Sequence, residues 1–140
     1  MATLSDEDVR VIGPTGDYRG KQGLTYNTGI STETVGARGV CLTSLTVPPG
    51  ARAKAHYHEG IETVAYIIDG ELVIWYGEQC DRQVRITAGE YLYIPANVPH
   101  APENVSDRPC QAVVAHSGGN DQERIVMMPE LDERLATTAH

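Results

Sequence analysis

The sequence predicts an all-β fold, a barrel or sandwich built as one domain. Its 140 residues suit one domain, and a compact domain of this size buries about two thirds of its unfolded surface. Fourteen glycines and eight prolines punctuate short segments rich in Val, Ile, Tyr and Thr. This spacing is typical of β-strands joined by tight turns, so long helices are not expected.

Composition and charge exclude several classes of partner. Eleven basic and nineteen acidic residues give a net charge of -8, which works against nucleic acid or an anionic membrane as the main partner. No stretch approaches the ~20 apolar residues of a membrane span, and the first residues lack a secretion signal. The odd set of three cysteines favours a reducing compartment. We therefore expect a cytoplasmic protein whose partner is a small molecule, not nucleic acid or a membrane.

The first half of the chain is predicted to contain an arm and two main strands. Residues 1–23 are polar and glycine-rich and are predicted to form an N-terminal arm, with the barrel and a C-terminal tail over residues 24–140. Residues 40–47 alternate well enough to form a half-buried strand. In the strand that follows, Glu62, Val64 and Ile68 are expected to face inward, and Asp69-Gly70 is expected to form a hairpin turn.

Further strands and one helix are predicted in the second half. Residues 71–76 and 83–86 are predicted strands that are expected to pair as hairpins, and residues 91–94, 111–116 and 124–128 are further predicted strands. Pro129 stands at a first helical position and predicts the one short helix, over residues 129–136.

The stretch between Gly50 and Gly70 carries the strongest chemical signal. His56 and His58 are two residues apart, so in a strand both leave from the same face, with Cα atoms roughly 6.6 Å apart at ~3.3 Å rise per residue. Both imidazoles can then reach one ion. Glu62 on an inward face would be costly unless a metal ion neutralised it.

Two spaced segments resemble the two motifs of the cupin superfamily, in the same order. The first reads Gly50, five residues, His56-x-His58, three residues, Glu62, seven residues, Gly70. The second reads Gly89, five residues, Pro95, one residue, Asn97, two residues, His100, three residues, Asn104. Cupins have about six residues before the closing glycine of the first motif, and a glycine where this chain has Asn97. Asparagine tolerates a left-handed backbone better than most residues, so the turn before His100 can still form.

This resemblance implies a double-stranded β-helix, the jelly-roll cupin barrel, with one divalent metal ion inside. The implied ligands are His56, His58, Glu62 and His100. Three imidazoles and one carboxylate without sulfur suit Fe, Mn, Ni, Co or Zn. Two positions of an octahedron would stay open, and a net charge of about +1 would favour an anionic or enolate oxygen donor, with O₂ beside it.

The resemblance leaves more than one function open, because cupins include dioxygenases, decarboxylases, isomerases, cyclases and binding modules. We expect a metal-dependent oxygenase-type enzyme acting on a small chelating organic substrate, with no catalytic acid or base identified. The alternative is a non-catalytic small-molecule-binding or sensing cupin. A sugar-nucleotide epimerase of related fold is disfavoured, because such enzymes need no metal.

Other residues receive simpler interpretations. A single histidine among strands is more often a hydrogen-bonded core or rim residue than a ligand, and His116 is interpreted so. Arg52 is a rim residue that could meet an anionic substrate. Tyr66 and Trp75 are interpreted as core packing, with a place in a pocket wall as the alternative for either. Exposed sheet edges predict a homodimer, with residues 18–30 a candidate for adding a strand to a neighbour.

Overall fold

Two antiparallel sheets face each other and enclose the interior of the barrel. The computed structural model describes residues 8–120, 122 and 124–137. The strands are β1 Asp17–Arg19, β2 Thr25–Ile30, β3 Cys41–Val47, β4 His56–His58, β5 Thr63–Asp69, β6 Glu71–Tyr76, β7 Arg82–Thr87, β8 Tyr91–Ile94, β9 His100–Glu103, β10 Cys110–His116 and β11 Ile125–Met127. One sheet has the order β1-β2-β3-β10-β5-β8 and the other β11-β4-β9-β6-β7. The predicted all-β, double-stranded architecture is confirmed.

Two short helices accompany the strands. α2, Pro129–Thr137, begins at the predicted proline. α1, Thr32–Val35, was not predicted, because one turn is too short to show helical periodicity. Its N-cap, Ser31, forms a capping box with Thr34, and Gly36 ends it in the left-handed conformation. Neither helix of the described chain has the length and apolar character needed to cross a bilayer.

The predicted arm is partly built into the barrel. β1 pairs with β2, and β2 pairs with β3 at the edge of the six-stranded sheet. The rings of Tyr18 and Tyr26 lie 5.8 Å apart, which joins these two strands through their side chains as well. Residues 1–7 of the predicted arm lie outside the described residues. The expected homodimer stays a prediction, and β1 is the edge strand from which a neighbour's sheet could be extended.

The predicted hairpin at Asp69-Gly70 is wrong. β5 pairs with β10 and β8, whereas β6 pairs with β7 and β9, so the chain crosses from one sheet to the other at this point. Gly70 makes the corner with φ 88°, and a Cβ there would lie 2.7 Å from the Pro109 carbonyl oxygen. The corner therefore needs glycine both for its backbone conformation and for its close approach to the neighbouring turn.

The predicted inward face of β5 is also wrong by one residue. Thr63 and Ile67 are buried, whereas Glu62, Val64 and Ile68 are exposed. β5 lies between β10 and β8 in the sheet and carries apolar side chains on both faces. Alternation of apolar and polar residues therefore could not decide which face of this strand is buried.

Helix α2 supports the strands that carry the histidines. Leu131 and Leu135 pack in a buried cluster with Ala55 and Ala101, which flank the histidines of β4 and β9. Asp132 accepts a hydrogen bond from the backbone N–H of Ala55 at 3.2 Å. The helix thus fixes these strands from outside the barrel.

Candidate metal centre

Three histidines converge inside the barrel. His56 and His58 lie on β4, and His100 begins β9 directly opposite His56 in the antiparallel register. One ring nitrogen from each of the three lies within 4.8 Å of the others. All three side chains are buried. The predicted meeting of the two segments at one point is therefore present in the structure.

Backbone carbonyl groups fix the orientation of two of these rings. The Nδ1 atom of His56 is 2.6 Å from the Lys54 carbonyl oxygen, and that of His100 is 2.9 Å from the Val98 carbonyl oxygen. A carbonyl oxygen only accepts hydrogen bonds, so each Nδ1 donates, and the Nε2 lone pair is left for an ion. Nδ1 of His58 is buried without a hydrogen-bond partner among the described residues.

Asn97 joins the turns of the two segments. Its backbone N–H donates to the His58 carbonyl oxygen at 3.1 Å, and its side-chain oxygen accepts from the Gly60 N–H at 2.8 Å. The φ of Asn97 is 68°, so the predicted left-handed turn before His100 is confirmed. This residue holds β4 and β9 in register at the end where the histidines lie.

Glu62 lies apart from the histidine group. Its carboxylate is exposed and accepts a hydrogen bond from the Tyr93 hydroxyl, while its backbone N–H donates to Ser117 Oγ at 2.9 Å. The next residue, Thr63, faces the interior in its place. Thr63 is also the residue separated from Gly70 by six positions, the spacing that the cupin motif has. The spacing of six residues before Gly70 was therefore a signal in the sequence that Thr63 is the residue that faces inward.

His116 is a fourth histidine at the same cavity, and sequence reasoning did not place it there. Its ring centroid is 4.6 Å from that of His58, and it stands opposite Thr63 in the register of β10 and β5. Its Nδ1 is 3.9 Å from the Cys41 sulfur. It lies outside the group of three that can share one ion. The signal was the alternation on β10, where every second residue up to His116 lines the cavity.

The comparison with known protein families decides what kind of barrel this is. A model of the Cupin domain matches residues 43–116, just over half of the chain. The chain belongs to the cupin family. The matched range covers β4 and β9, which carry the three converging histidines, and it ends at His116.

Individual proteins resemble this cupin over unequal lengths. Quercetin 2,3-dioxygenase from Bacillus subtilis is 32% identical over 54 residues, which are 39% of this chain and 15% of that protein. The oxalate decarboxylase from Lactobacillus farciminis, solved as a formate complex, superposes with a TM-score of 0.68 at 16% identity over 89% of this chain and 36% of that one. An uncharacterized double-stranded β-helix protein from Klebsiella pneumoniae superposes with a TM-score of 0.63 at 17% identity, over 91% of this chain and 96% of that one. Likeness at these identities to the solved structures shows the fold.

The three histidines of this cupin are held neutral by their surroundings. Burial lowers the pKa of His58 to about 3 and that of His100 to about 4, and the pKa of His56 lies well below its ordinary value. Repulsion between neighbouring imidazoles lowers these pKa values further. Metal ions bind the neutral imidazole, so these groups are already in the ligand form at neutral pH.

We expect the metal-free protein to lose stability between pH 6.5 and about 4. An unfolded histidine titrates near 6.5, so in this range the unfolded state binds more protons than the folded state. Stability that is fully present above pH 6.5 is therefore lost as the pH falls, by up to about 1.4 kcal/mol per pH unit for each histidine. Urea unfolding at a series of pH values measures this slope. The same series on His58→Asn should be shallower, and equal slopes would contradict the explanation.

A small apolar cavity adjoins the histidines. Its volume is about 70 Å³, and it is lined by the four histidines, Thr63, Gln22, Tyr26 and apolar side chains, most of them from the two sheets. Tyr66 and Trp75, interpreted as candidate pocket walls, are not part of this lining. Arg52 lies elsewhere in an ion pair of 2.7 Å with Asp132, so its charge stabilises α2 against the barrel.

The donor set fits a divalent transition metal ion. It consists of neutral imidazoles, two of them with Nδ1 bonded to the backbone and one with a buried Nδ1 that lacks a partner. A buried polar atom without a partner is costly, and an ion coordinated by this Nδ1 atom would relieve that cost. Imidazole suits several first-row ions, and their identity depends on geometry and supply.

Proposed function

We propose that this cupin holds one divalent transition metal ion through His56, His58 and His100 and acts as an oxygenase-type enzyme on a small chelating organic substrate. The observation that carries the proposal is the convergence of three buried, neutral imidazoles within 4.8 Å beside an internal cavity. The candidate ions are Fe, Mn, Ni, Co and Zn. When bound, such an ion supplies a Lewis acid and a template for oxygen donors.

The proposed ligand set differs from the one that the cupin resemblance implied. Glu62 is omitted, because its carboxylate is exposed and bonded to Tyr93 on the outside of the barrel. Without a carboxylate ligand the site would keep a net charge of about +2, because imidazoles are neutral. The carbonyl groups of Lys54 and Val98 would hold two rings in place. Such outer hydrogen bonds also raise the basicity of the ligating nitrogen.

Two observations bear on whether this cupin is an enzyme or a binding module, and they favour opposite answers. The segment of Bacillus subtilis quercetin 2,3-dioxygenase that this chain resembles supports an oxygenase, although it is a small share of that protein. Beside the three proposed ligands, the polar residues in the described lining of the cavity are His116, Thr63, Gln22 and Tyr26, and the lining contains no carboxylate or lysine that could transfer protons. This second observation favours the alternative, a non-catalytic cupin that binds or senses a small molecule.

Oxygen uptake tests the choice between them. The protein loaded with Fe(II) is expected to consume O₂ faster when a small diketone such as 2,4-pentanedione is added, because an oxygenase couples the two reactants. An oxygen electrode measures the rate, and product analysis shows whether the diketone is altered. His100→Ala should abolish the increase and Glu62→Gln should keep it. Tight binding with the diketone recovered unchanged in air, for every metal tried, would identify a binding module.

A further inference from the structure

The walls of the internal cavity carry no formal charge. Apart from the histidines, Thr63, Gln22 and Tyr26, the described residues that line it are apolar, among them Leu24, Ile67 and Ile74. Its lining contains no Asp, Glu, Lys or Arg of the described chain. A ligand bound at the histidines must therefore place the rest of its surface against hydrocarbon.

The volume of the cavity limits the size of that ligand. Sites for drug-sized molecules measure about 300–1,000 Å³, whereas this cavity measures about 70 Å³. Most of its walls belong to paired strands of both sheets, which restricts how far these walls can move apart. The occupant is therefore a small molecule with few atoms beyond those that reach the histidines.

The lack of charged walls limits the charge of the ligand. A carboxylate removed from water is costly to bury unless a cation or several hydrogen-bond donors meet it. A metal ion at the histidines could meet the coordinating oxygens of a dicarboxylate, but the remaining negatively charged oxygens would face apolar side chains. A ligand whose remainder is uncharged gains from the same burial. Of two ligands of equal size, the cavity should therefore bind the less charged one more tightly.

Thr63 is one of the polar residues, with Gln22 and Tyr26, that line the cavity beside the histidines. Its side chain lines the cavity and is 5% exposed, and its hydroxyl has no hydrogen-bond partner among the described residues. A hydroxyl can donate one hydrogen bond. An oxygen atom of a ligand held at the histidines would give this buried group the partner that it lacks.

We propose that the interior site selects a small ligand with an uncharged, apolar body and that the Thr63 hydroxyl donates a hydrogen bond to one of its oxygen atoms. This selectivity rests on the proposed metal site. It assigns the substrate to the class of small ketones, enols and related neutral chelators, and it excludes dicarboxylates.

Two ligands of matched shape test the charge selectivity. 2,4-Pentanedione and malonate have the same number of non-hydrogen atoms and both chelate through two oxygens, but malonate carries charged oxygens where the diketone has methyl groups. The protein is first loaded with Zn(II) and its metal content is measured. Calorimetric titration with each ligand then gives its Kd, and the same titrations with free Zn(II) in the same buffer give the intrinsic preference of the ion. Relative to the free ion, we expect the protein to favour the diketone by about tenfold or more.

A pair of isosteric variants tests the role of Thr63. Thr63→Val should weaken diketone binding by about three- to tenfold, the effect of one net hydrogen bond, and leave the affinity for Zn(II) unchanged. The matched control is Thr43→Val, because Thr43 is also buried with an unpartnered hydroxyl but does not line the cavity. The control should bind the diketone as the parent does, and circular dichroism shows that both variants fold.

The outcomes separate this inference from the function on which it rests. If the protein takes up no Zn(II), the metal site and this selectivity both fail. If Zn(II) binds but malonate is favoured as much as it is by the free ion, the selectivity alone is wrong. Equal diketone affinity in Thr63→Val and Thr43→Val would remove Thr63 from the proposal.

Discussion

Alanine in place of His100 is expected to weaken the binding of a divalent transition metal ion by about a hundredfold or more. His100 is one of three residues whose nitrogens converge, and it is the one that the second strand, β9, contributes. Even changes to residues that only orient a ligand cost about 10- to 100-fold in affinity, so the loss of a ligand should cost at least as much. Metal content after dialysis and calorimetric titration measure the effect.

Glu62→Gln is the matched comparison for that variant. The exposed carboxylate of Glu62 meets Tyr93 and not the histidines, so we expect the metal affinity to stay within about twofold of the parent. The cupin resemblance implied the opposite, since it made Glu62 a ligand. A large loss in Glu62→Gln together with a small one in His100→Ala would show that the ligand set of three histidines is incorrect.

Alanine in place of Gly70 is expected to destabilise the protein by about 3 kcal/mol or more. The new Cβ would lie 2.7 Å from the Pro109 carbonyl oxygen and 2.9 Å from the Cys110 Cα, both of which are backbone atoms. Backbone cannot swing away as a side chain can, so this overpacking adds to the strain of a left-handed alanine. The midpoint and slope of urea unfolding give the change in the free energy of unfolding.

Gly89 provides a control with the same backbone conformation. Its φ is also 88°, but an added Cβ would meet no atom within 4 Å. Gly89→Ala should therefore cost only the left-handed strain, about 1–2 kcal/mol. Equal losses in the two variants would mean that the contact with the Pro109 turn carries no cost of its own.

The sequence was sufficient for the strands whose limits are set by glycine or proline. β6 and β8 have the predicted bounds, because Gly70, Gly77 and Pro95 end their apolar runs. It was insufficient for β5, where both faces are apolar and the pattern has two equally good phases. The structure resolves that phase through the burial of Ile67 between the sheets.

The sequence likewise predicted some residues of the candidate site and missed others. The spacing of His56 and His58 within one strand was enough to place them together, and the second motif supplied His100. The approach of His116 depends on the pairing of β10 with β5, which joins distant parts of the chain. The register between two such distant strands cannot be predicted from a single sequence. The expectation that Glu62 faces inward came from the misassigned phase of β5, since a one-residue shift exchanges its two faces.

The register of β4 and β9 bears on when the ion can arrive during biosynthesis. A nascent chain presents His56 and His58 long before His100 is made, and the third nitrogen joins them only when β4 and β9 have paired. Closing so long a segment is slow compared with forming local turns. Capture of a metal ion at the proposed site would therefore come late and would stabilise an assembled barrel. An ion that binds only this finished state raises its resistance to unfolding without guiding the earlier steps.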